Sequence, residues 1–284
     1  MAVFHPLFKM QCKRLLSRTE VKFAFTTMLA IVLFSFAESC MLFYGSESNE
    51  LPSAAYGWIG NMDNMQIQIM HVFYFYLIFL VAAMAFGDSF FIDIKCGVSN
   101  AIAIRSTLRI YFTSTGLLAF IGGFLVVLIP LIVSQLLAFL VFPAIAAPNS
   151  FAGTINSPAF DSYSMMKNTE NSLFPALYVN FPYVNNLVFI FYASLWAGIM
   201  ALMSFVVSLF TRKSRLVVLG APTLVFLLAF FVLPSNLALP NYLYPSTLIP
   251  QLSPVFFFAA PLVMLAMLVT LIIFAAMDKK DILL

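Results

Sequence analysis

LLAFIGGFLVVLIPLIVSQLLAFLVF, residues Leu117–Phe142, contains no ionisable side chain and lies inside a charge-free run from Ile110 to Phe160. About 20 mostly apolar residues carry a helix across the hydrocarbon core of a bilayer, so this stretch reads as a membrane span, with Pro130 a candidate kink. Working outward, five further runs qualify: Phe23–Tyr44, Gln66–Phe86, Asn186–Phe210, Leu216–Leu233 and Val255–Met277. The fifth span in chain order, Leu216–Leu233, is short and holds Pro222, so a broken or tilted helix is expected there.

Composition supports the same class. Of 284 residues, 63% are hydrophobic and 9% charged, with a mean hydropathy of +1.01. Soluble domains run at roughly 45–50% apolar and about 25% charged. A soluble globule and a disordered chain are both excluded. A porin-like barrel would show alternation rather than long apolar runs. The expected fold is an all-α polytopic membrane protein, a single transmembrane domain over residues 1–284.

The basic residues set the topology. Lys9, Lys13, Arg14, Arg18 and Lys22 precede the first span, and Lys95, Arg105 and Arg109 lie between the second and third. Arg212, Lys213 and Arg215 fill the turn before the fifth, and Lys279 and Lys280 follow the sixth. Only Lys167 falls on the other face. The positive-inside rule then places both termini in the cytosol, and six spans require the same parity. The expected location is a bacterial cytoplasmic membrane. The first run reads as a retained span, because Phe36-Ala37-Glu38-Ser39-Cys40 offers no small-x-small cleavage site.

Between the spans, residues 1–22 hold an amphipathic stretch. Phe4, Leu7, Phe8, Cys12, Leu15 and Leu16 recur at helical spacing opposite Lys9, Lys13, Arg14 and Arg18. Such a helix is expected to lie at the interface, with its apolar face in lipid and its cations near phosphates. The loop 45–65 and the long connection 143–185 are expected outside. The latter's aromatics, including Phe151, Phe160, Tyr163 and Phe174, suit an interface belt or a lid. Cys12, Cys40 and Cys96 form no metal or redox motif, and no P-loop is present. Nothing points to nucleic acid.

The connection 87–116 is too long for a turn and too apolar for a solvated loop. On a helix, Ile94, Val98, Ala101, Ile102 and Arg105 share one face, an apolar patch of the kind that marks a protein contact. Its order of residues is Asp93, then Gly97, Arg105, Arg109 and Tyr111. This resembles the stretch E-x-x-x-G-T-x-x-x-L-x-x-x-x-x-R-x-x-x-Y that follows the second span of ABC-2 transporter permeases, with Val98 in place of the threonine. The Leu252-Ser253-Pro254 approach to the last span is also similar to that family. The ~40-residue third-to-fourth connection is longer than is usual there.

The resemblance implies a six-span permease subunit of an ATP-driven exporter. Its coupling helix, carrying Asp93, Ile94, Gly97, Val98, Ala101, Ile102, Arg105 and Arg109, would dock on a separate ATPase subunit present in two copies. ATP and Mg would be bound by that partner, and this chain would hold no cofactor of its own. A second permease subunit, identical or homologous, and membrane lipids complete the expected partners. The substrate expected is a hydrophobic or amphipathic peptide, a drug or a lipid-like molecule. The alternative is a carrier driven by an ion gradient, with Glu38 in the first span as coupling acid. Glu38 and Gln135 are the candidate substrate-path residues; Glu38 equally suits an acid reaching the outer interface. No nucleophile–base pair suggests an enzyme.

Overall fold

The computed structural model describes residues 4–60, 69–98, 107–146, 172–211, 214–245 and 252–278. Among them the secondary structure is helical: α1 (Phe4–Ser17), α2 (Thr19–Leu42), α3 (Ile69–Phe86), α4 (Ser89–Lys95), α5 (Leu108–Val141), α6 (Pro175–Asn180), α7 (Pro182–Phe210), α8 (Arg215–Val232), a 3-10 turn (Leu239–Tyr242) and α9 (Pro254–Asp278). Helices α2, α5, α7, α8 and α9 are each long and apolar enough to cross a bilayer. Within α3 and α4, Tyr76–Phe86 and Ser89–Lys95 meet at a 42° bend, the geometry of a broken span or of a re-entrant loop. The chain is a polytopic helical membrane protein.

The prolines do not break their helices. Pro130 lies within α5, Pro222 within α8 and Pro261 within α9. Neighbouring helices re-satisfy the backbone groups that a proline frees in a membrane, and Pro130 and Pro222 are both buried. The expected break at Pro222 is therefore absent. Helix α5 begins at Leu108, well before the apolar run at Leu117. Its 34 residues span about 51 Å at 1.5 Å per residue, against a hydrocarbon core of about 30 Å. The early turns stay helical because Tyr111, Phe112, Ser114 and Thr115 are buried in the protein. Residues 108–116, expected in a loop, belong to this helix.

Helix α7 is the centre of the bundle and packs against α3, α5, α8 and α9. Small residues let α5 approach it closely. A methyl added at Gly123 would lie 2.5 Å from Ala201 Cβ and 2.9 Å from the Ala197 carbonyl oxygen. At the end of α3, one added at Gly87 would meet Ser204 Cβ at 2.6 Å. Helix α9 runs beside both: Phe257 stacks on Tyr192 at 3.8 Å, and Ile272 lies 3.3 Å from a methyl placed on Gly116.

Two segments outside the long spans pack against the bundle. Helix α1 packs part of its apolar face on protein: Leu15 is buried and would touch a methyl on Gly122 at 2.9 Å. Lys9, Lys13, Met10 and Leu16 remain exposed. The loop 45–65 is not wholly outside the bundle either. Glu47 and Glu50 are exposed, but from Pro52 to Gly60 every residue except half-buried Gly57 is buried. Asp63, Lys167, Phe151, Phe160, Tyr163, Arg212, Lys213, Lys279 and Lys280 lie outside the described residues.

Candidate functional site

Two residues separate α3 from α4, and the second, Asp88, is fully buried. Its carboxylate accepts from Arg18 Nη2 at 2.9 Å and from Arg215 Nε at 2.6 Å. Arg215 Nη2 also donates to Glu20 Oε1 at 2.9 Å, and Arg18 Nε lies 3.4 Å from Glu20 Oε2. The four side chains thus close a ring, Asp88–Arg18–Glu20–Arg215, with no net charge. It joins the α1–α2 junction, the first turn of α2, the α3–α4 bend and the first residue of α8. A cation at a helix N-terminus opposes the helix dipole; here Asp88 and Glu20 offset that for Arg215. Arg18 also lies over the Phe86 ring, 5.4 Å from its centroid.

One helix further on, Asp93 is fully buried as well. It accepts a hydrogen bond from the Tyr111 hydroxyl and pairs with Arg14. These contacts fasten α4 to α5 and to α1. Hydrogen bonding to Asp93 raises the Arg14 guanidinium above its ordinary value, although partial burial acts the other way. A raised cation contributes fully below its unfolded pKa and is lost only as pH rises past it, so Arg14 stays charged in this pair throughout the neutral range.

Helix α4 stops where the backbone turns left-handed. The Gly97 N–H donates to the Ile94 carbonyl at 3.1 Å and Gly97 has φ +69°, a conformation that disfavours any Cβ. Ile94 and Val98 therefore do not share one continuous helix face, as the spacing predicts. Ile94 is half-buried, while Gly97, Val98 and Arg109 are exposed. Asp93 faces inward in this chain, bonded to Arg14 and Tyr111. Ala101, Ile102 and Arg105 lie outside the described residues. Lys95 is exposed with its ammonium 4.7 Å from the Phe91 ring centroid.

The ring of Arg18, Glu20, Asp88 and Arg215 is absent from the sequence reading. Its signal was present: an acid at the end of one apolar run and basic residues at the ends of two others. Pairing charges 70 and 127 positions apart needs the tertiary fold.

The opposite end of the bundle holds Gln135, expected in a substrate path. Its amide donates to the Ala54 carbonyl at 3.0 Å and accepts from Asn186 Nδ2 at 2.9 Å. Asn186 Nδ2 also donates to the Ala55 carbonyl at 2.9 Å. The Ile59 N–H donates to Ser134 Oγ at 3.3 Å, and the Ala54 N–H to the Pro143 carbonyl at 2.8 Å. Gln135 thus holds the inward-folded segment 52–60. The segment needs its glycines: a methyl on Gly60 would lie 2.0 Å from the Trp58 ring, and one on Gly57 2.6 Å from the Phe142 ring. Gly60→Ala is expected to displace Trp58 and lower stability by about 1–3 kcal/mol, read as a lower unfolding midpoint in detergent with altered tryptophan emission. Unchanged emission and midpoint would place the segment elsewhere. Glu38 is half-buried on α2, four residues before its end.

No protein-family model, curated protein or solved structure matches the chain, so the two ends of the bundle carry the functional argument.

Proposed function

We propose that the chain is the membrane-spanning permease subunit of an ATP-driven ABC exporter in a bacterial cytoplasmic membrane. It has six spans, α3–α4 being the second with its bend at the cytosolic end, and both termini are cytosolic. It pairs with a second permease subunit and two copies of a separate ATPase, which bind ATP and Mg. A hydrophobic or amphipathic peptide, a drug or a lipid-like molecule is carried outward.

The observation that supports this reading is the anchoring of Asp93, the acid of the motif that resembles the family's. The exposed turn at Gly97–Val98 directly follows a helix whose buried carboxylate is bonded to Arg14 of α1 and Tyr111 of α5. A push on that turn is delivered to two helices at once. A loop merely tethered at the surface would absorb it.

The test is co-purification in mild detergent with chromosomally adjacent proteins. The wild type is expected to retain an ATP-hydrolysing subunit, and Gly97→Arg with Val98→Asp and Ile102→Asp to lose it on the order of tenfold, the equivalent of about 1.4 kcal/mol. Val98 is exposed, so Val98→Asp alone is expected to leave the bundle folded. A wild type that purifies alone, with transport driven by a proton or sodium gradient and lost in Glu38→Gln, would overturn the proposal in favour of a secondary carrier.

A further inference from the structure

A connection between two membrane helices ordinarily runs over the surface. Pro52–Gly60 instead folds inward, and its contacts come from side chains well inside two helices. Gln135 is six residues from the end of α5 at Val141, about 9 Å along the axis, and Asn186 is four residues into α7. Non-helical backbone at such depth is tolerated only where protein buries it or where it lines an aqueous path. Here it is buried, with Trp58 and Ile59 joined to the main core.

The seat is incompletely satisfied. Asn186 Oδ1, both amide atoms of Asn185 and Trp58 Nε1 are buried without hydrogen-bond partners. Buried polar atoms are normally paired, so this state is closed without being fully bonded. The clamp that closes it is a bridge between α5 and α7: Gln135 and Asn186 bond each other and adjacent carbonyls of the segment.

Helix α5 also reaches the Asp93 anchor at Tyr111. Between Tyr111 and Gln135, α5 lies close against α7 at Gly123, where an added methyl would meet Ala201 and Ala197. The helix therefore links the two ends of the bundle over about 36 Å. A displacement of α5 against α7 that begins at the Tyr111 end would shear the Gln135–Asn186 bridge at the other.

We propose that Pro52–Gly60 is the outer gate of the transport path, a strap seated between α5 and α7 by the Gln135–Asn186 clamp and released when α5 shifts against α7. The proposal rests on the exporter reading for its driving force, but the clamp itself is testable without it.

The experiment places Ser53→Cys, a near-isosteric change at a buried strap position, in a background with Cys12, Cys40 and Cys96 replaced by serine. Labelling by a membrane-impermeant maleimide is followed in intact cells, with Glu47→Cys on the exposed part of the same loop as reference. Ser53→Cys is expected to label at least tenfold more slowly than Glu47→Cys. Adding Asn186→Ala or Gln135→Leu is expected to bring the two rates together. ATP turnover by a bound ATPase is expected to do the same with the clamp intact. Size-exclusion profiles separate opening from unfolding. Slow labelling that neither clamp loss nor turnover accelerates overturns the gate. Acceleration by clamp loss but not by turnover supports the strap and counts against ATP coupling. A Glu47→Cys reference that labels only from the cytosolic side overturns the orientation, and with it an outer gate.

Discussion

Asp88→Leu is expected to lower the stability of the folded chain by about 3–5 kcal/mol, the usual consequence of removing one partner from a buried ion pair. Asp88 is fully buried and bonds both Arg18 and Arg215, which the more exposed Glu20 also contacts. Without it, Arg18, whose side chain is 9% exposed, keeps among the described residues the Glu20 carboxylate at 3.4 Å. Asp88→Asn preserves shape but presents an amide donor to one of two arginines, so an intermediate loss is expected. Replacing the charges together, Arg18→Met with Asp88→Leu and Arg215→Met, is expected to recover much of the stability, because the desolvation of all three ions is relieved. The measurement is the unfolding midpoint in detergent for the three variants. An Asp88→Leu protein as stable as wild type would show that the ring does not hold this end of the bundle together.

The second large effect is steric. At Gly123 a methyl would approach Ala201 Cβ to 2.5 Å and the Ala197 carbonyl oxygen to 2.9 Å, and the latter is backbone that cannot rotate away. Gly123→Ala is expected to cost about 1–3 kcal/mol through overpacking. Gly123→Leu should separate α5 from α7 and abolish folding, seen as loss of the monodisperse species. In membranes, helix association depends on close packing of small residues, so water-driven burial will not compensate. Ala201→Gly is expected to restore part of the Gly123→Ala loss by removing the nearer contact. Gly220 is the internal control: nothing lies within 4 Å of a methyl there, and Gly220→Ala in α8 is expected to be neutral or to gain up to about 1 kcal/mol of helix propensity. Equal effects at Gly123 and Gly220 would refute the close-contact argument.

These two sites differ in how visible they were. Gly122–Gly123 inside a long apolar run already marks a place where another helix can come near. Which partner each glycine meets, Leu15 for Gly122 and Ala201 for Gly123, depends on how three helices are placed. The charge ring was less visible still, since its members stand at positions 18, 20, 88 and 215. Asp93 stands in the sequence as the acid of the motif in the 87–116 connection. Its environment was not legible, because an acid read as part of an exposed docking face proves to be bonded inward to Arg14 and Tyr111. Likewise Gln135 was picked out as a polar residue within a span, but its bond to Ala54 joins positions 81 residues apart.

Hydrophobic run length determined the class by itself, because the bilayer imposes one length and one hydrogen-bonding rule on every span. That is why α2, α7, α8 and α9 fall close to the runs read from the residues, and why the all-helical membrane fold follows from composition alone. Tertiary structure decided everything that depends on choosing partners. It carried α5 nine residues beyond its apolar run, packed α1 onto the bundle, and folded the segment 52–60 inward. The physical reason is common to all three. Once water and lipid are both replaced by protein, a buried charge or carbonyl takes its stability from whichever distant group the fold brings within hydrogen-bonding distance, and no local pattern specifies that group.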